Sequence, residues 1–293
     1  MGDWEWLTLA SRWVLYLGMA IAVGGIAGEW LLHPYRVLGP ALKRYTLTGI
    51  LLAPLALVAH FLIRAGALAE TGFSGMFDPV MLQFMWQSTV GDALVWAGAG
   101  MLLLGVSHYI NLRSDDTGPM HWLQLVTAVA GMVTLAFSYT LSGHIQSEGM
   151  LSAVTLTAHV LLISWWMGSL FPLWLATHQL DSEQSHEVLE LFGRLALPAV
   201  LLVLVAGMML SYRLTGWSTD LVNSRYGYWL MLKVALVGAI LALAAFHKLY
   251  LVPALKHVGD ARSMKRSLLL EKAVGMAILA VTTVLAVLVG PGH

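Results

Sequence analysis

The chain has no cysteine. That excludes disulfides, thiolate metal sites and iron–sulfur clusters. Charge is scarce as well. The 293 residues hold 16 basic and 16 acidic side chains, 11% of positions, against about a quarter in ordinary soluble domains. So apolar a composition excludes a soluble enzyme, a disordered chain and a nucleic-acid binder with a basic face. No phosphate-cradling glycine loop is present, which argues against pumping driven by ATP. The opening, MGDWEW, is acidic and lacks a basic n-region, so no cleaved signal peptide is expected.

Apolar residues make up 58% of the sequence and the mean hydropathy is +0.76. A soluble protein of this size has too little interior to hide that much apolar surface. The composition therefore predicts an all-α polytopic membrane bundle, a single integral membrane domain over residues 1–293. A membrane-crossing helix needs about 20 mainly apolar residues. Eight stretches qualify: Trp6–Leu32, Thr46–Ala69, Val90–Asn111, Trp122–Ser142, Leu151–Thr177, Val188–Ser211, Tyr228–Leu251 and Leu268–Val289. Breakers such as His33-Pro34, Asp78-Pro79, Gly118-Pro119 and Gly259-Asp260 separate them. Basic residues concentrate in alternate connections. Arg36, Lys43, Arg44, Arg113, Arg194, Lys248, Lys256, Arg262, Lys265 and Arg266 fall on one side, and only Arg12, Arg64, Arg213 and Arg225 on the other. The positive-inside rule then predicts both termini outside.

A charge at mid-bilayer costs about 2.5–3.5 kcal/mol on insertion scales, so polar groups inside spans face protein or a wet cavity. They fall into two layers. His60, Arg64, His144, His159 and Lys233 lie nearer the outer surface. Glu29, His33, His108, His178, His247, Glu271 and Lys272 lie nearer the inner one. In the fifth span Ser152, Thr155, His159, Trp166 and Ser169 share one helical stripe. His144 sits just before that span, across a short hairpin, and overhangs its mouth. Spacing alone does not make these two histidines a metal signature. Tyr226, Lys233 and His247 follow one face of the seventh span at multiples of seven. Glu271 opens the eighth span and is free to pair with Lys272, with Lys265 and Arg266, or with His247. Glu29 continues a small-residue face, Gly18, Ala22 and Gly25, which reads as close helix packing. Met76, Met81 and Met85 occupy the connection after the second span. Thioethers and imidazoles suit Cu(I), but with Phe77, Phe84 and Trp86 interleaved the segment reads better as a membrane anchor.

Several of these residues together resemble the copper resistance protein D family of bacterial inner-membrane proteins. They are Ser142-Gly143-His144 followed by His159 and Trp166-Met167-Gly168, then Tyr226-Gly227 before Lys233, and Glu271-Lys272-Ala273-Val274-Gly275 opening the last span. The resemblance is strongest over residues 138–290. His247 stands where many members carry asparagine. The resemblance implies a multi-pass inner-membrane protein without catalysis that handles copper, with passage of the ion across the membrane and a small periplasmic copper-binding protein as partner. In that reading His144 captures copper, Met150 assists at the mouth and His159 receives the ion deeper. His247 and Glu271 form the exit, and Lys233 serves gating or structure. The bilayer and the copper ion are the other partners, and no nucleic acid is involved. The competing reading is a b-type haem electron carrier with paired axial histidines, His60 with His159 on one side and His108 with His247 on the other.

Overall fold

The computed structural model describes residues 2–113, 119–141, 149–217, 223–258 and 262–289. Among them there is no strand, and eight helices are long and apolar enough to cross a membrane. The first is α1 (Asp3–Leu31), followed by α2 (Gly39–Ala69) and a short α3 (Pro79–Trp86). Then come α4 (Thr89–Arg113), α5 (Pro119–Phe137), α6 (Met150–Gln179) and α7 (Ser182–Thr215). The chain continues through α8 (Arg225–Phe246), one π-helical segment at His247–Leu251, α9 (Val252–Val258) and α10 (Arg262–Val287). Only α3 and α9 are too short to span. The end of the bundle at which α1 begins is called upper below, and the opposite end lower.

Most of the helices run past the spans that hydropathy marks. Where Thr46, Thr177 and Val188 are the expected limits, α2 starts at Gly39, α6 ends at Gln179 and α7 starts at Ser182. Hydropathy registers only the lipid-facing part of a helix, whereas the backbone stays helical into the polar layer. Pro40 sits inside the first turn of α2, where its missing N–H costs nothing. Asp181 caps α7 by accepting from the Gln184 N–H at 2.8 Å. The connection after α2 contains a helix where a loop is expected. Asp78 caps α3, accepting from the N–H groups of Val80 and Met81. Phe73, Phe77, Phe84 and Trp86 are exposed around it, as a headgroup anchor requires. Met85, by contrast, is buried against Phe61 and Ala65, so this methionine fills an apolar gap.

The bundle is organised around α1. Of its most apolar stretch 56% is buried, against 6% for α8 and its extension. It packs on α2, α6 and α10, and Trp13 Nε1 donates to the Met276 carbonyl of α10 at 3.3 Å. Small residues make this approach possible. A Cβ on Gly18 would meet the Ala53 backbone at 2.8 Å. One on Gly168 would overlap the Ala20 carbonyl and the Cα of Gly24. Without a hydrophobic drive between helices in lipid, such backbone contact supplies van der Waals energy that larger side chains would forbid. The Gly18–Ala22–Gly25 face is thus the close-packing surface expected. Outward, α2, α4, α7 and α8 show a belt of exposed leucine and valine, which only a hydrocarbon environment accommodates at low cost.

Candidate functional site

The lower end buries two carboxylate–imidazole pairs; a third, His186 Nε2 with Glu190 Oε2 at 3.4 Å on α7, is half exposed. The first joins the π-helical segment after α8 to α10. His247 Nδ1 lies 3.1 Å from Glu271 Oε2, with side chains 12% and 3% exposed. The other ring nitrogen, Nε2, is 2.6 Å from Ser267 Oγ. Both ring nitrogens are therefore engaged, and Ser267 and Glu271, one turn apart on α10, grip the ring from one side. His247 opens the π-helical segment, in which the Val252 N–H bonds back to the His247 carbonyl, five residues earlier. Pro253 explains the widening. Its ring would strike the carbonyl four residues back and it has no N–H to donate, and the five-residue register relieves both. π-helical turns are frequent where a helix aims a side chain at a site. Lys272 does not join the pair. Its ammonium sits over Trp174 at 4.5 Å and Phe171 at 5.2 Å on α6.

The second pair was not legible as a unit. Glu29 on α1 accepts from Thr46 Oγ1 on α2 and from Asn111 Nδ2 on α4. Its Oε1 is 3.8 Å from His108 Nδ1, with side chains 9% and 6% exposed. That distance is beyond a hydrogen bond, and among the described residues His108 Nδ1 has no partner. Lys43 lies close enough to act on both Glu29 and His108 electrostatically, and it donates to the Asn111 carbonyl at 3.4 Å. Two signals pointed here. Glu29 continues the buried glycine face of α1, and His108 and Asn111 are three apart on one face of α4. Neither signal says that the two faces meet.

Of the three copper residues expected at the upper end, two are described, Met150 and His159, both on α6. His144 lies outside the described residues. Met150 is 79% exposed at the start of α6. His159, nine residues on, is about 13 Å deeper at 1.5 Å per residue. The stripe itself faces inward: Ser152, Trp166 and Ser169 are buried, and Thr155 reaches Met209 Sδ on α7 at 3.6 Å. His159 Nδ1 pairs with the Val203 carbonyl of α7 at 3.2 Å, and its ring packs over Gly207. Lys233 of α8 acts on this imidazole electrostatically. His60, on the other side of α1, is held by Ser11 Oγ at 2.9 Å. Of the four histidines of the haem alternative, His60, His159 and His247 hydrogen-bond to residues of other helices, and among the described residues no hydrogen bond joins one of the four to another. Among the described residues no group of three or more His, Asp or Glu side chains could hold a metal ion.

Two family models match the chain. A family model described as copper resistance protein D matches residues 186–285. A second, copper resistance protein D-like, N-terminal domain, matches residues 1–154. The chain belongs to the copper resistance protein D family. Its first half, which resembles the family mainly in hydropathy, is covered by a match of its own. Copper resistance protein D of Pseudomonas syringae pv. tomato is 27% identical over 93% of this chain and 93% of its own length. Inner membrane protein YebZ of Escherichia coli is 23% identical, over 96% of this chain and 97% of its own length. Copper transport protein CutJ of Bacillus subtilis is 24% identical over 97% of this chain, which spans only 53% of that longer protein. No solved structure matches.

The structure explains the family-like Trp166-Met167-Gly168 and Gly275 as packing. Gly168 sits against Gly24 and Ala20, Met167 against Gly275, and Trp166 is buried. They set how closely α1, α6 and α10 approach, and so where Glu29 and Glu271 stand.

Proposed function

We propose that the chain is a copper-handling protein of a bacterial inner membrane that passes the ion across the bilayer. The observation that carries this reading is the Glu271–His247–Ser267 constellation, a carboxylate and an imidazole 3.1 Å apart inside a membrane bundle. Copper that displaces the proton between Nδ1 and Oε2 meets one nitrogen and one oxygen donor there, with Nε2 still held by Ser267. Two donors bind weakly enough to release, which suits a carrier better than a store. The copper names of two of the relatives support the choice of ion, and the eight spans support passage.

In this reading the upper end faces the periplasm, with both termini outside, and receives copper from a small periplasmic copper-binding protein. His144 and Met150 form the capture point, and His159 stands deeper on the route. An ammonium repels a cation, so His159 takes the ion only while Lys233 is turned away, which makes Lys233 the gate on that side. His247 and Glu271 then form the exit. The protein is a carrier and carries out no catalysis.

Radioactive copper flux into liposomes holding the purified chain tests the proposal. Glu271→Gln removes a charged ligand worth about 1.5–3 kcal/mol, so flux falls about 10- to 150-fold while copper still binds at the upper end. Flux equal to wild type in both Glu271→Gln and His247→Ala refutes the route, and absence of flux in wild type refutes passage.

A further inference from the structure

We propose that the upper end of the first two helices binds a phosphate-type oxyanion between Arg12 and Arg64. These residues line a cavity of about 380 Å³ with His60, Thr8, Glu5 and Trp4, closed on one side by the last turn of α10. At about 30 Å³ per water, that is room for a phosphate group with its hydration. Arg12 is nine residues into α1, about 13 Å along it, and Arg64 is five from the end of α2, about 8 Å. Both are therefore below the helix ends.

Among the described residues, the charge there is not balanced by carboxylates. The two guanidinium groups are close enough to repel each other. No described carboxylate forms an ion pair with either. Arg12 instead donates from Nε to the Tyr16 hydroxyl at 3.1 Å and lies over the rings of Tyr16 and Tyr139 at 5.3 and 5.5 Å. Those contacts hold the guanidinium in place and leave its charge standing. Glu5, the acid lining the cavity, accepts from the Gly2 N–H at 3.0 Å, and one carboxylate cannot neutralise two cations. His60 is committed to Ser11 at 2.9 Å, so it braces the wall and brings no counter-charge.

Uncompensated arginines inside a span are costly and mark a binding site by default. Guanidinium forks match phosphate geometry. A chloride would leave most of those donors unused. Two sources carry the same chemistry, the headgroup of a phospholipid and free phosphate. The site is independent of the copper route, since it shares neither His159 nor the lower pairs.

The test uses the full purified chain. Thermal unfolding in detergent is followed with inorganic phosphate against chloride at equal ionic strength, and native mass spectrometry counts phospholipid retained after delipidation. A phosphate-dependent rise in unfolding temperature assigns free phosphate, and one retained phospholipid per chain assigns a headgroup. Either supports the proposal, provided Arg64→Gln weakens it about tenfold or more. Arg64→Lys, which keeps charge but not the fork, should fall between. Arg213→Gln, an exposed arginine at the same end outside the cavity, should bind like wild type. The proposal is overturned if wild type shows neither response, or if Arg64→Gln and Arg213→Gln behave alike. The wild-type arms need no variant to fold.

Discussion

Replacing Gly168 by alanine should destabilise the protein more than its single added methyl suggests. In an exposed helix interior the same change stabilises, since glycine costs about 1 kcal/mol relative to alanine. Gly168 is different because a Cβ there would land on the backbone of α1, overlapping the Ala20 carbonyl and crowding Gly24. Backbone cannot turn aside as a side chain can. To restore ordinary van der Waals distance, α1 and α6 must separate by about 1 Å or more, losing contacts along the whole crossing. Overpacking of this kind costs about 1–3 kcal/mol. At roughly 2–4 °C per kcal/mol for a chain approaching this size, the unfolding temperature should drop by several degrees. Gly98 is the matched control, a helical glycine in α4 with nothing within 4 Å of its Cβ position, where alanine should raise the temperature slightly. Both variants are measured by thermal unfolding in the same detergent or nanodisc. If Gly168→Ala unfolds at or above the wild-type temperature, or if Gly98→Ala falls as far, the account of α1–α6 packing is wrong.

Two more outcomes follow from the structure. Glu29→Ala removes the acceptor for both Thr46 and Asn111, but Thr46 keeps its second bond to the Leu42 carbonyl at 3.1 Å, so the Asn111 amide bears the main loss; destabilisation of about 1–3 kcal/mol is expected, and unchanged unfolding of the variant counts against the cluster. Met85→Ala should lower stability by about 2–5 kcal/mol through the cavity left beside Phe61 and Ala65, with bound copper unchanged; lost copper with stability intact would return Met85 to metal binding.

How much of this was written in the linear sequence depends on the range of the interaction. The spans are legible because hydropathy is a local property, and the close face of α1 because its glycines repeat at helical spacing. The His247–Glu271 contact was within reach as one of several pairings. What decides it is that Lys272, the immediate neighbour, turns to the Trp174 and Phe171 rings of α6. The π-helical turn had a local cause in Pro253. The Glu29 cluster had none of this kind. It draws on α1, α2 and α4, with Glu29 and Asn111 82 residues apart, and no periodicity within one helix gives the rotation of another. Along the fifth span the inward stripe is present, and at Thr155 and His159 it meets α7, with Lys233 acting on the imidazole; facing inward does not specify what waits there.

The two buried lower pairs share a construction. Glu29 stands one turn from Gly25, and Glu271 one turn from Gly275; a Cβ on Gly25 would meet Thr46 and one on Gly275 would meet Met167. Each carboxylate is thus carried to its partners by a glycine contact one turn away on the same helix. The two contacts differ in stiffness. At Gly25 the obstacle includes the Thr46 Cα, a backbone atom that cannot yield, and Thr46 is itself a donor to Glu29. At Gly275 the obstacle is the end of the Met167 side chain, which has three rotatable bonds. The α1–α2 contact therefore fixes Glu29 rigidly between Thr46 and Asn111. The α6–α10 contact can give, and α8, which runs directly into the π-helical segment carrying His247, packs mainly on α10. Movement at the lower end is consequently easier for Glu271 and His247 than for Glu29. This is the physical reason for assigning the exit to the last two spans and a fixed structural charge to the first.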